Sequence, residues 1–216
     1  MSASCSDHCH DAVFDGMSPA YKRTLVAVIV LNIIGFASSG AAAIASGSTA
    51  LAANAGDFLG DSLTYAISLA VIGRSARLRA SAALFKGATL GVAGLALLGF
   101  AGWRLLNGAE PEGATISLFG AVGLGLNVIA ALLLFRFREG DANVRSVWLC
   151  TRNDAIENIG VIAAGGLVAL TGTVWPDLAM GAILGVILLH SAWEITLRAR
   201  KELLAAASPP AVHPAH

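Results

Sequence analysis

Residues 47–73, GSTALAANAGDFLGDSLTYAISLAVIG, place two aspartates inside a segment that is otherwise mostly apolar. Asp57 and Asp61 lie four residues apart, and Asn54 comes one turn before Asp57. In an α-helix, side chains at positions i and i+4 lie about 6 Å apart along the axis and share a face. We therefore interpret the segment as a helix with two carboxylates on one face, and the surroundings of this helix decide what those carboxylates do.

The composition of the whole chain indicates a membrane environment. Of its 216 residues, 56% are hydrophobic and 13% are charged, and the formal net charge is zero. The mean hydropathy of +0.72 is far above that of an average soluble domain. A neutral charge balance gives no reason to expect a nucleic-acid partner, which needs concentrated basic surface. The predicted partner is the lipid bilayer.

Six apolar segments approach the length of about 20 residues that a membrane-spanning helix needs. The connections between them are short, which favours antiparallel neighbours in one compact bundle. The predicted fold is therefore an all-α integral membrane bundle of six transmembrane helices. The predicted spans are residues 24–46, 50–73, 82–106, 113–135, 144–171 and 177–198.

Three regions follow from these spans. Residues 1–22 form a predicted cytoplasmic N-terminal tail that contains Cys and His, and no apolar core of a cleavable signal peptide is found there. Residues 23–204 form the six-helix transmembrane domain. Residues 205–216, which contain PPAVHPAH, are predicted to be a disordered C-terminal tail.

The positions of lysine and arginine predict the orientation in the membrane. Cytoplasmic loops carry the positive excess close to the helix ends. With the N-terminus inside, all of the 14 Lys and Arg residues except Arg104 and Arg152 fall at cytoplasmic ends. Both termini are therefore predicted to be cytoplasmic.

The fifth predicted span carries a second set of polar side chains. Cys150, Asp154 and Asn158 follow one another at intervals of four residues and share a helix face. If this face meets that of Asp57 and Asp61, three carboxylates and a thiol converge inside the membrane. Paired acids in two separate helices are harder to explain by packing alone than a single buried acid, which can be a hydrogen-bond partner between helices.

Such a cluster predicts a cation site. Empty and fully ionised, it would combine like charges with a low dielectric, so it must hold either protons or a cation. Four O and S ligands suit a tetrahedral zinc-like site, and a cysteine favours Zn²⁺, Cd²⁺ or Co²⁺ over Mg²⁺ or Ca²⁺. Because metal binding displaces protons from its ligands, a site that alternates between two sides of a membrane would exchange metal for protons. No cofactor other than the transported metal is predicted.

The predicted ligands are thus Asp57, Asp61, Cys150 and Asp154, with Asn54 and Asn158 in supporting positions. Arg152 and Glu157 point away from the ligand face and are interpreted as charge-balancing or gating residues. His190, alone on an apolar face, is expected to be a buried histidine and not a ligand. Glu194 and Arg198 are expected to form an exposed i, i+4 ion pair.

The N-terminal tail contains a second candidate metal-binding tract. Within CSDHCHD, residues 5–11, the side chains of Cys5, His8, Cys9 and His10 suit the collection of metal ions. We interpret this tract as a metal-delivery segment, a hypothesis that measuring transport and metal tolerance after deletion of residues 1–12 would test.

Several segments resemble those of the cation diffusion facilitator family, six-helix exporters of divalent transition metals. The resemblance runs from about Arg23 to Leu204. Its motifs are LNIIGF (31–36), GSTALAANAGDFLGD (47–61), NVRSVWLCTRNDAIENIGVI (143–162), WPDLAMGAIL (175–184) and SAWEITLRARKELL (191–204). The resemblance implies a metal/proton antiporter that works by alternating access from the cytoplasm outward.

The family's ligand positions fall on residues already singled out. Asp57 and Asp61 occupy the two positions of the second helix, and Asp154 occupies the acidic position of the fifth. Cys150 stands where the family usually has a histidine, which is expected to shift selectivity toward thiophilic ions. Many members also have a cytoplasmic C-terminal metal-sensing domain that helps them form dimers, and this sequence stops where that domain would begin, so we interpret it as a short form.

The predicted function is efflux of a divalent transition metal, Zn²⁺ first and Cd²⁺ or Co²⁺ next, in a bacterial plasma membrane, with a homodimer as the candidate assembly. It is not predicted to be an enzyme, because no combination of acid, base and nucleophile exists apart from the proposed ligands. One alternative is a membrane-bound metal sensor or binding protein without transport. Another is a small multidrug cation exporter, which would require more aromatic residues near its acid than Phe58 and Tyr65.

Overall fold

The chain forms a bundle of long α-helices. A computed structural model describes residues 18–71, 76–108, 111–139 and 142–207. Its helices are α1 (Pro19–Ser46), α2 (Thr49–Val71), α3 (Ala76–Asn107), α4 (Gly113–Leu134), α5 (Ala142–Thr171) and α6 (Trp175–Ala207), and a short 3-10 turn, Phe135–Phe137, follows α4. The predicted all-α architecture and the order of its six helices are confirmed.

α3 and α6 extend furthest beyond the spans that the hydropathy pattern predicts. α3 begins at Ala76 and not near residue 82, and α6 continues to Ala207. The start of the predicted disordered tail at residue 205 is therefore helical, and its remainder lies outside the described residues. Both extensions lie at ends predicted to be cytoplasmic, where charged side chains continue a helix beyond the apolar span.

Five helices within the described ranges are long and apolar enough to cross a membrane. α2 is not among them, because Asn54, Asp57 and Asp61 lower its hydropathy. α2 instead lies within the bundle, where it contacts each of the other five helices. Large apolar side chains on other helices face outward, including those of Ile44 and Leu170. The surface is thus apolar, and the helix that carries two acidic side chains within its apolar span is surrounded by the others, as a membrane bundle requires.

The helices are arranged as two groups. α3 packs most extensively against α6, whereas α1, α2, α4 and α5 pack mainly against one another. α4 and α5 approach closely at Gly113 and Gly165, where a Cβ atom on Gly165 would lie 2.5 Å from the backbone nitrogen of Ser117. Small residues allow this kind of close helix packing in membranes.

The turn between α1 and α2 is held against the start of α6 by a buried aspartate. The Asp177 carboxylate accepts hydrogen bonds from the hydroxyl of Ser48, from the backbone N–H (2.8 Å) and hydroxyl (2.8 Å) of Thr49, and from the N–H of Ala50 (3.1 Å). It therefore satisfies free N–H groups in the first turn of α2 from another helix. Asp177 thereby joins the two helix groups at the end of the bundle that the charge pattern predicts to be outside.

The same end of the bundle contains the end of α3. The αL conformation of Gly47 (φ 66°) ends α1, and its N–H donates to the carbonyl of Ala43 at 2.7 Å. The guanidinium of Arg104 packs against Gly47, whose positive φ is a conformation that residues with side chains rarely adopt. The ends of α1 and α3 and the starts of α2 and α6 thus meet, in agreement with antiparallel neighbours.

Candidate functional site

A pocket lies between α2, α3, α5 and α6 and contains several polar side chains. Its volume is about 250 Å³. Asp57 and Asp61 of α2 and Cys150 of α5 line it, so three of the four predicted ligands border one space. Both aspartates are half-buried, and Cys150 is exposed to the pocket.

Asp61 is held by a hydrogen-bond network that joins α2 to α5. The hydroxyl of Tyr65, one turn further along α2, donates to Asp61 Oδ2 at 2.7 Å. The same hydroxyl is 3.2 Å from the hydroxyl of Thr151, which donates to the carbonyl of Val147 at 3.1 Å. Tyr65 is buried, with 1% of its surface exposed. The orientation of the Asp61 carboxylate is therefore fixed by a rigid aromatic side chain.

Asp154, the fourth predicted ligand, lies deeper than the other three. Only 7% of its surface is exposed, and its carboxyl group comes within hydrogen-bonding range of the Asp61 carboxyl group. Its Oδ2 atom is buried and has no hydrogen-bond partner in the described residues. A buried carboxylate oxygen without a donor is costly unless a proton or a cation compensates it.

The four predicted ligands do not form a closed coordination sphere. Within the described part of the chain, no group of three or more His, Cys, Asp and Glu side chains is arranged to hold a metal ion. Three of the donors face the pocket, whereas the Asp154 carboxyl contacts Asp61. Coordination of one ion by all four would require their side chains to converge, so the ligand set remains a prediction.

The two predicted supporting asparagines lie side by side, buried against α4. Asn54 donates to the hydroxyl of Ser39 at 3.2 Å, and Asn158 donates to the backbone carbonyl of Asp154 at 2.9 Å. A side chain at Gly123 would collide with both amides. Neither amide has a hydrogen bond to a ligand carboxylate among the described contacts. The Asn158 amide bonds to the backbone of Asp154 and not to its carboxyl group, and the Asn54 amide bonds to a side chain of α1.

Other charged residues of α5 and α6 have distinct surroundings. Glu157 is near enough to Asp57, Asp61 and Asp154 to interact with them electrostatically. Arg152 is exposed, and its guanidinium lies over the ring of Trp148, 5.6 Å from the centroid. Glu157 therefore adds a negative charge and does not balance those of the predicted ligands, and Arg152 does not line the pocket, so a gating role for either residue stays a prediction.

The prediction for His190 is wrong, whereas the predicted Glu194–Arg198 pair is confirmed. Arg198 donates to Glu194 at 3.2 Å, one turn apart on α6. The His190 side chain is 71% exposed and not buried, and its Nε2 lies 3.5 Å from Glu194. His190 was misplaced because an apolar sequence context in a membrane helix indicates lipid as readily as a protein core.

Sequence reasoning also missed Lys86 as a pocket residue. The charge pattern predicts a place for Lys86 at the cytoplasmic end of α3, but the side chain lines the pocket together with Asp57 and Asp61. The available signal was its distance from the other basic residues, since Lys86 is separated from Arg79 by the apolar stretch ASAALF.

The sequence matches the family described as "Cation efflux transmembrane domain" over residues 25–204. Among similar proteins is the "Metal cation efflux system protein CzcD" of Cupriavidus metallidurans, 28% identical over 158 residues that cover 68% of this chain and 50% of that protein. Another is the "Zinc transporter ZitB" of Yersinia pestis, 26% identical over 196 residues that cover 85% of this chain and 62% of that protein. The chain thus spans between half and two thirds of the length of these relatives.

Proposed function

This chain belongs to the family of cation efflux transmembrane proteins, and we propose that it exports a divalent transition-metal ion in exchange for protons. Zn²⁺ is the first candidate, and Cd²⁺ and Co²⁺ are the next. We place the protein in the plasma membrane of a bacterium, with a homodimer as the assembly to be tested. The names of these relatives support metal efflux, and that of ZitB supports zinc.

The observation that carries the proposal is the shared pocket of Asp57, Asp61 and Cys150. Carboxylates and a thiol are the donors that bind Zn²⁺ and Cd²⁺, and in a membrane bundle such groups are too costly to serve as ordinary packing. The partnerless Oδ2 of Asp154, next to Asp61, adds a fourth donor that needs a proton or a cation. Proton exchange is proposed from the same donors, because each must lose its proton to bind metal.

Flux measurements in proteoliposomes test this function against the two alternatives. With a metal-sensitive dye and a pH-sensitive dye inside, an imposed Zn²⁺ or Cd²⁺ gradient is expected to drive metal in one direction and protons in the other. A protein that only binds metal would give stoichiometric binding without flux. A multidrug exporter would move organic cations such as ethidium and leave metal unmoved, and either result would overturn the proposal.

Replacing Cys150 by histidine is expected to preserve transport and to change the preferred metal. Imidazole is a harder ligand than thiolate, so the preference for Cd²⁺ over Zn²⁺ should fall by about tenfold. Competition among Zn²⁺, Cd²⁺, Co²⁺, Ni²⁺, Mn²⁺ and Fe²⁺ for uptake into vesicles measures this preference. Cys150→Ser is the matched control for loss of the sulfur. Unaltered selectivity in the histidine variant would show that the thiol is not a ligand.

The N-terminal tract of Cys5, His8, Cys9 and His10 lies outside the described residues. Its proposed role in metal delivery therefore rests on the sequence alone.

A further inference from the structure

Lys86 is a cation placed inside the pocket by the packing of α3 on α2. The two helices touch where a Cβ atom on Gly60 would lie 2.6 Å from Leu90. Lys86 comes one turn before Leu90 on the same face of α3, and Thr64 comes one turn after Gly60 on α2. The ammonium group is thereby near enough to Asp61 to interact with it electrostatically, although the two do not form a direct ion pair.

The charges that line the pocket leave Lys86 without a close partner. The other cation, Arg198, is paired with Glu194 at 3.2 Å, so these two charges offset each other. No carboxylate among the described residues comes within the 4.0 Å of an ion pair with Lys86. The remaining charges are one ammonium and the two carboxylates of Asp57 and Asp61.

A second cavity gives the Lys86 side chain another place to go. This cavity has a volume of about 260 Å³, and its polar lining consists of Thr64, Ser68, Arg198 and Glu202 as well as Lys86. Arg198 borders both cavities and is paired with Glu194. Lys86 therefore lies between the two cavities, and its flexible four-carbon stem can reach into either. The carboxylate of Glu202 offers the ammonium a second anionic partner, away from Asp57 and Asp61.

We propose that Lys86 is a specificity-determining residue, the built-in counter-cation of the metal-free site that an incoming metal displaces toward the second cavity. This inference rests on the proposed function. An ammonium beside the carboxylates weakens the binding of every divalent cation, because the ion must overcome repulsion or move the lysine aside. Only ions that form strong bonds to O and S donors compensate this cost, so Mg²⁺, Ca²⁺ and Mn²⁺ are disfavoured.

The inference is tested by whether metal binding becomes tighter or weaker when the charge of Lys86 is removed. The full chain in lipid nanodiscs is titrated with Cd²⁺ and Mn²⁺ at one pH and at physiological salt, with Lys86→Gln, Lys86→Met and Lys86→Arg compared with wild type. Loss of the charge is expected to tighten Cd²⁺ binding by about tenfold or more, since charges several Å apart interact strongly at an effective dielectric near 20. Mn²⁺ binding should become detectable, and Lys86→Arg should resemble wild type.

Controls separate this effect from misfolding and from surface charge. Misfolding lowers affinity, so tighter binding cannot result from it, and Lys201→Gln removes an exposed cation of α6 as the matched control. In vesicles, Lys86→Gln should lower both KM and the maximal rate, because a tightly held ion leaves slowly. If wild type binds metal and folded Lys86→Gln binds Cd²⁺ equally or more weakly, the proposal for Lys86 is overturned and the proposed function is not. A wild-type chain that binds no divalent metal overturns the proposed function as well.

Discussion

Alanine at Asp57 or at Asp154 is expected to abolish metal transport, with a loss of about 100-fold or more in the initial rate. Even outer-sphere partners of metal ligands typically cost 10- to 100-fold when they are mutated, so removing a proposed ligand should cost at least as much. Asp57 faces the pocket and has no hydrogen-bond partner among the described contacts, so its carboxylate is free to bind an ion. Asp154 is buried with one partnerless oxygen.

Uptake of Zn²⁺ and Cd²⁺ into vesicles measures this loss, and binding titrations of the same variants show whether affinity falls with rate. Asp57→Asn and Asp154→Asn keep the side-chain volume and remove the charge together with one acceptor oxygen. Glu139→Ala is the matched control, because its carboxylate is 82% exposed after α4 and pairs only with Arg138 among the described contacts. Wild-type flux in either alanine variant would exclude that residue from the site.

The part of this site that could be predicted from sequence is the part fixed by helix periodicity. The four-residue intervals of Asp57 and Asp61, and of Cys150 and Asp154, fix their faces once the segments are helical, and both segments are. The prediction that the two faces meet needs a further assumption, namely that both faces turn away from lipid. The high cost of carboxylates in lipid makes this assumption reasonable. The contact between the carboxyl groups of Asp61 and Asp154 agrees with it.

Features that depend on packing between distant helices could not be predicted. The chain order says nothing of which turn of α3 lies beside Asp61, so Lys86 was counted with the cytoplasmic charges. Likewise, exposure of His190 depends on which face of α6 meets α3. Tyr65 was treated only as a sparse aromatic, although its hydroxyl orients Asp61 at 2.7 Å. In each case, local sequence specifies the helix and tertiary packing specifies the neighbour.

Asp177→Ala is expected to destabilise the bundle by about 3 kcal/mol or more, because it leaves buried hydrogen-bond donors without an acceptor. The N–H groups of Thr49 and Ala50 and the hydroxyl of Ser48 all lose the same carboxylate. Asp177, Ser48 and Thr49 are each 0% exposed, so water does not replace it in this arrangement. The thermal midpoint of the purified protein in detergent measures the loss.

Transport should fall with stability in this variant, since the lost contact anchors the helix that carries Asp57 and Asp61. Asp177→Asn separates the loss of hydrogen bonds from the loss of side-chain volume. It keeps the size of the side chain but turns one acceptor oxygen into a donor that faces other donors. Glu112→Gln provides the control at the same end of the bundle. Its carboxylate is exposed and bonds only to the exposed Thr115 hydroxyl in the described residues, so its effect should stay within about 0.5 kcal/mol. If Asp177→Ala has the same thermal midpoint as wild type, the first turn of α2 does not depend on α6. The contact that joins the two helix groups must then lie elsewhere.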